Sequence, residues 1–258
     1  MIDLINEASD VKTNKIFAVV LGPSGSGKSY VAGTAEGKIL YLHTDSERHG
    51  AASAVKAGGD VLSINIERDK AGNLRSADDA FKRGLDCIQP EVLKKAGIDV
   101  VVLDGLTEIE KIVRSTGIWK NKCTTKNGAH DGFMEGVATI FLMDKYMAAL
   151  RSAQDEAGVH VMVTGILDVQ EVDDNGAIVV AKPRLSGYAV AEAMIQQFPD
   201  VLSIGRVVGK SGKAGHVFQT GADMRRISKD ADGRVKKFIN FSPRLAGVAE
   251  LPNYIKAD

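Results

Sequence analysis

The stretch LGPSGSGKSY, Leu21 to Tyr30, decides how this chain is read. A strongly apolar run, KIFAVVLG, leads into it. That run is too short for a helix and ends in glycine, so Ile16 to Leu21 is predicted as a buried strand. Gly22, Gly27, Lys28 and Ser29 fit the spacing G-x-x-x-x-G-K-[ST]. The spacing has a mechanical reason. The loop must curl so that successive backbone N–H groups point at phosphate oxygens, and glycine permits the dihedral angles and the close approach. A helix is expected from Gly27 to about Thr34, its N-terminus adding about 0.3–2 kcal/mol toward an anion. Gly22, Pro23, Ser24, Gly25, Ser26, Gly27, Lys28, Ser29 and Tyr30 are thus the expected nucleotide-binding residues. Lys28 reaches the β and γ phosphates, and Ser29 ligates Mg²⁺.

Such a loop needs a second acid. The run DVVVLDG predicts a buried strand whose carboxyl end carries Asp104, suited to hold Mg²⁺ opposite Ser29; capping of the next helix is its alternative role. Asp99 opens the same strand and so stands at the wrong edge, because ligands of open α/β sheets lie beyond the carboxyl ends. The run KILYLHTDSERHG brings Asp45 and Glu47 to that favoured edge, where a carboxylate can align an attacking water. Thr164, ending HVMVT, is placed to touch the γ phosphate, or serves as an ordinary β-favouring threonine.

Around these motifs, apolar runs alternate with helical patterns from Ile16 to Leu167, predicting a mostly parallel sheet covered on both faces. A helix with one buried face is expected over Ser76–Ala96, broken at Pro90, and a long one over Asp131–Gly158. Beyond Leu167, Asn175-Gly176, Ser211-Gly212 and Asp232-Gly233 sit between β-prone runs and read as hairpin turns. The organisation is a leader over residues 1–14, a core over 15–167, and a hairpin-rich part over 168–258 that packs on the same α/β domain and extends its sheet.

The 258 residues carry 33 basic and 33 acidic side chains, so overall charge points to no polyanion. Cys87 and Cys123 are too few for a disulfide framework and have no metal-binding spacing. No apolar run approaches the roughly 18 residues of a membrane span, and the leader lacks the pattern of a signal peptide, so a cytoplasmic setting is expected.

The GPSGSGKS loop, the DSE element at Asp45–Glu47, Asp104 and Thr164 together resemble the RecA-like branch of P-loop ATPases. That resemblance implies Mg²⁺-dependent ATP hydrolysis, with Glu47 activating water, Asp104 serving Mg²⁺ and Thr164 sensing the γ phosphate. Threonine at that last place departs from the glutamine common in the family. More narrowly, ILYLHTDSE, VVVLDGLTE and KPRLSG make the chain similar to the phage Sak-four group of single-strand annealing ATPases. Implied partners are single-stranded DNA, further copies of the chain in a ring or filament, and recombination proteins, in the cytoplasm of a bacterial host.

Local charge offers a place for DNA. Lys111, Arg114, Lys120, Lys122 and Lys126 lie within an acid-free stretch around Trp119, the one tryptophan. Cations beside an aromatic platform suit single-strand binding, and the stretch falls where RecA-like proteins place their first DNA loop. Lys182 and Arg184 are the useful cations of a second loop. Arg225 and Arg226 belong to a further basic cluster that either contacts DNA or reaches a neighbouring subunit's nucleotide. A nucleotide-gated scaffold with slow turnover and a small-molecule kinase are the rival readings of the same motifs.

Overall fold

Alternation along the strands sorts the core into two layers. The computed structural model describes residues 15–45, 48–172, 178–208 and 214–219. In β1 (Phe17–Gly22), Phe17, Val19 and Leu21 enter one apolar cluster, while Ala18 and Val20 enter the other. β2 (Lys38–His43) and β4 (Val100–Asp104) divide in the same way. Leu40, Leu42, Val101 and Leu103 face one layer; Ile39, Tyr41, Val100 and Val102 face the opposite one. Strands covered on both faces read as unbroken apolar runs, which is why they stand out in the sequence.

The remaining strands are β3 (Asp60–Asn65), β5 (His160–Val172), β6 (Ile178–Pro183), β7 (Asp200–Val208) and β8 (Ala214–Gln219). The sheet runs β3-β2-β4-β5-β1-β7-β8, and β6 pairs with β5 off this path. Every pair from β3 through β7 along that order is parallel; β5–β6 and β7–β8 are antiparallel. The predicted α/β architecture is therefore present, with β7 and β8 extending the sheet beyond β1. The expected boundary after Leu167 falls inside β5, so one strand serves both parts. The hairpin turns at 175–176 and 211–212, and everything around 232–233, lie outside the described residues.

Helices α1 (Lys28–Ala32) and α2 (Arg48–Lys56) cover the Ala18–Val20 face. The other face carries α3 (Ala77–Cys87), α4 (Pro90–Ala96), α5 (Leu106–Ser115), α6 (Gly117–Lys122), α7 (Gly132–Ala157) and α8 (Tyr188–Gln196). Local signals explain the boundaries. Ser76 caps α3 by accepting from Asp79 N–H at 3.1 Å, and Pro90 opens α4. Asp131 accepts from Phe133 and Met134 N–H to start α7, and Gly158 ends it with φ 68°. α1 stops at Ala32 rather than Thr34; the chain turns at Gly33, whose backbone lies against Ala54 of α2.

Parallel strands share a carboxyl edge, and Gly22, His43 and Asp104 sit on it. Asp99 stands at the opposite edge, where its carboxylate accepts from Lys38 N–H at 2.8 Å. There too His160 Nδ1 accepts from Ile16 N–H at 3.2 Å, and burial pushes its pKa down to about 4, leaving a neutral ring at pH 7. Both cysteines are buried and free. Among the described residues no helix is long and apolar enough to cross a membrane, and no acid, His and Cys group is arranged to hold a metal.

Candidate nucleotide site

The loop leaving β1 has the shape its glycines allow. Pro23, Ser24 and Gly25 are exposed, and the chain tightens where Ser26 N–H donates to Pro23 C=O at 3.2 Å. Gly25 and Gly27 have φ of 74° and 95°, left-handed values that a side chain resists. Gly22 is required for a different reason: a Cβ there would stand 2.5 Å from the Ile204 carbonyl oxygen. Lys28 Nζ donates to Gly22 C=O and Pro23 C=O, both at 2.9 Å, which folds its ammonium back over the loop. Ser26 Oγ is buried with no hydrogen-bond partner among the described residues, an orphaned polar atom of the loop. An anion held by the loop would give that orphan a partner. α1 is only five residues long, so the loop's own N–H groups, more than a helix dipole, make the cradle.

Alternation places the second acid. Val100 and Val102 face the α1–α2 layer, so Asp104 faces it too, as Thr164 does two residues after Met162. Asp104 is 1% exposed and is met by three hydroxyls. Ser29 Oγ donates to its Oδ2 at 3.2 Å, Tyr41 donates to the same oxygen, and Thr164 donates to Oδ1. Thr164 also accepts from Gly105 N–H at 3.0 Å. α2 closes over this group at Gly50, where a Cβ would overlap Asp104 Oδ2 and lie 2.5 Å from the Tyr41 hydroxyl. Tyr41 and Gly50 went unnoticed in the sequence. The usable signal was β2's alternation, which gives Tyr41 the same facing as Asp104 once β2 and β4 pair.

A hydroxyl and a carboxylate beside a phosphate cradle are the hard oxygen donors Mg²⁺ takes, and it keeps the rest of its shell in water and phosphate oxygens. Ser29 and Asp104 fit that ion. When bound, it would offset charge on the phosphates. A protein-family model described as an AAA domain matches residues 14–225. The chain belongs to the AAA domain family. No curated protein matches it.

Within this AAA domain, Thr164 and Asp45 are held by neighbouring side chains. Thr164 is fully buried, and its hydroxyl hydrogen is committed to Asp104. Its bonds with Asp104 and Gly105 N–H orient the carboxylate and the start of α5. Asp45 is held by Arg68 at 2.5 Å and by Asn65 Nδ2 at 2.6 Å, which ties the end of β2 to the chain beyond β3. Glu47, the expected water-activating residue, and Arg225 and Arg226 lie outside the described residues.

The stretch from Lys111 to His130 does not present the expected aromatic platform. Trp119 is 8% exposed, packs in the core, and donates through Nε1 to Thr139 Oγ1 of α7 at 2.9 Å. A buried ring offers no platform to a base. Arg114 lies over that ring, 5.2 Å from its centroid, and pairs with Glu135 at 2.7 Å; Lys111 pairs with Glu108 at 2.6 Å. Lys120, Lys122 and Lys126 are exposed and in no ion pair among the described residues, with Lys122 Nζ 4.1 Å from the centroid of Phe141. Replacing Trp119 with Leu removes one buried hydrogen bond and the packed ring with it, so urea unfolding is expected to show a loss of about 3 kcal/mol. Affinity for single-stranded DNA stays within about twofold, since stacking on this ring would instead contribute about 1–3 kcal/mol per base. A tenfold loss of affinity with unchanged stability would contradict the burial.

Proposed function

We propose that this AAA domain hydrolyses ATP with Mg²⁺ and couples turnover to single-stranded DNA, as an oligomer in phage-type recombination or annealing. The observation that carries the ATPase half is the 3.2 Å contact between Ser29 and Asp104, which brings the end of the phosphate loop and the acid of β4 together at one sheet edge. Lys28 contacts the β and γ phosphates, Ser29 and Asp104 serve the metal, and Glu47 is assigned the attacking water. The resemblance to the Sak-four group and the exposed Lys120, Lys122 and Lys126 support the DNA half. The setting is the cytoplasm of a bacterial host.

The test is phosphate release by the full chain with and without a thymidine oligonucleotide, with no other acceptor present. Stimulation by DNA is expected. If about five phosphates are neutralised, affinity falls with salt along a log–log slope of about −3.5. Nucleotide binding with slow turnover that DNA does not change would favour the nucleotide-gated scaffold. Phosphate transfer that needs an added acceptor would favour a kinase.

A further inference from the structure

One segment beside the phosphate site is pinned from beneath and open above. Arg184 N–H donates to Ile166 C=O of β5 at 2.8 Å, and Thr107 Oγ1 of α5 donates to Arg184 C=O at 2.7 Å. Glu110, 4% exposed, accepts from Ser186 N–H at 2.9 and 3.1 Å and also from the Ser186 hydroxyl. Gly187 then turns the chain into α8 with φ 95°. The two anchoring elements are the strand that carries Thr164 and the helix that follows Asp104.

What this anchored segment presents is unusual. Tyr188 is 61% exposed, and its hydroxyl makes no hydrogen bond among the described residues. Lys182 Nζ sits 3.3 Å from its ring centroid. Arg184 pairs with Asp168 at 3.1 Å, both well exposed, and so exchangeable a pair releases its guanidinium readily. Beside the ring lies a groove of about 300 Å³ lined by Pro183, Ala191, Ile195 and Glu192, the last one helical turn on from Tyr188. Among the described residues, nothing in the packing requires an aromatic ring there.

We propose that Tyr188, Lys182 and Arg184 form a nucleobase-stacking subsite for single-stranded nucleic acid. A base lies on the ring, and its phosphate meets Lys182 and Arg184. Glu192, in the lining of the groove, repels phosphate, so the base and not the backbone enters the groove while the phosphate stays with Lys182 and Arg184. The inference rests on the DNA half of the function proposed above and supplies the aromatic platform that Trp119 does not. Glu110 is its positioning residue, linking the subsite to the helix after Asp104.

The experiment measures fluorescence anisotropy of a labelled thymidine oligonucleotide with the full chain and its Tyr188→Ala, Tyr188→Phe and Lys182→Ala variants. Melting temperature serves as the control for folding, and light scattering reports the oligomer. Tyr188→Ala is expected to weaken binding at least about fivefold, while Tyr188→Phe stays within about twofold. Lys182→Ala is expected to flatten the salt slope by about 0.7. If the wild-type chain binds no oligonucleotide, the DNA reading falls and the subsite with it. If the wild type binds and Tyr188→Ala binds equally well, the subsite alone is overturned. Equal loss in Tyr188→Ala and Tyr188→Phe would assign the effect to the hydroxyl and overturn stacking. Retained DNA affinity with a changed oligomer mass would make Tyr188 a protein contact, also overturning the proposal.

Discussion

Lys28→Ala is expected to lower ATP turnover by at least about 10²–10³-fold, the usual cost of removing one fixed donor from the charge that develops during reaction. The ammonium is the cation of the loop itself, held over it by Gly22 C=O and Pro23 C=O at 2.9 Å. Both contacts are to backbone carbonyls at the half-exposed loop, so their loss leaves the buried strands intact. The melting temperature should therefore change little. Phosphate release and nucleotide affinity, measured on the same preparation, separate the two effects. Turnover near wild type in the Ala variant would show that the triphosphate is bound elsewhere.

Gly50→Ala is expected to be nearly as damaging, although a single methyl is all it adds. The new Cβ overlaps Asp104 Oδ2 and stands 2.5 Å from the Tyr41 hydroxyl and 3.0 Å from Ser29 Oγ. Asp104 has no room to retreat, being 1% exposed and met by hydroxyls from three elements. Either α2 shifts or the carboxylate turns away from Ser29. Overpacking of this kind costs about 1–3 kcal/mol. Displacing a carboxylate by about 1 Å at the reacting centre is expected to cost turnover about 10²-fold. Gly136→Ala on α7 is the matched control, since a Cβ there meets nothing within 4 Å. That variant is expected to be more stable by about 0.5–1 kcal/mol with normal turnover. Wild-type kinetics in Gly50→Ala would mean that Asp104 is not held as described.

The parts of the molecule written in local pattern were the parts legible in the sequence. β1, β2, β4 and β5 are unbroken apolar runs because both of their faces are covered. The loop from Gly22 to Ser29 carries its own spacing, and α7 carries its own cap and stop at Asp131 and Gly158. The residues that hold Asp104 were harder to see, because they meet only through tertiary contact. Tyr41 reads as one more apolar strand residue until β2 lies beside β4, and Gly50 reads as an ordinary helical glycine until α2 closes over the carboxylate. Trp119 misled for the same reason. Its surroundings in sequence are cationic, yet the hydroxyl that accepts its N–H belongs to Thr139, twenty residues on, in α7. Composition reports which charges lie nearby along the chain and says nothing about which side of a ring faces water.

In the function proposed above, one divalent ion joins the phosphate loop to β4 through Ser29 and Asp104. Phosphate release measured across a Mg²⁺ titration, for the wild type and for Asp104→Asn, tests that bridge. Turnover by the wild type should require Mg²⁺, and Asp104→Asn should either need at least about tenfold more of the ion or fall silent at every concentration. Superimposable titration curves for the two proteins, or full activity with the ion chelated, would contradict it.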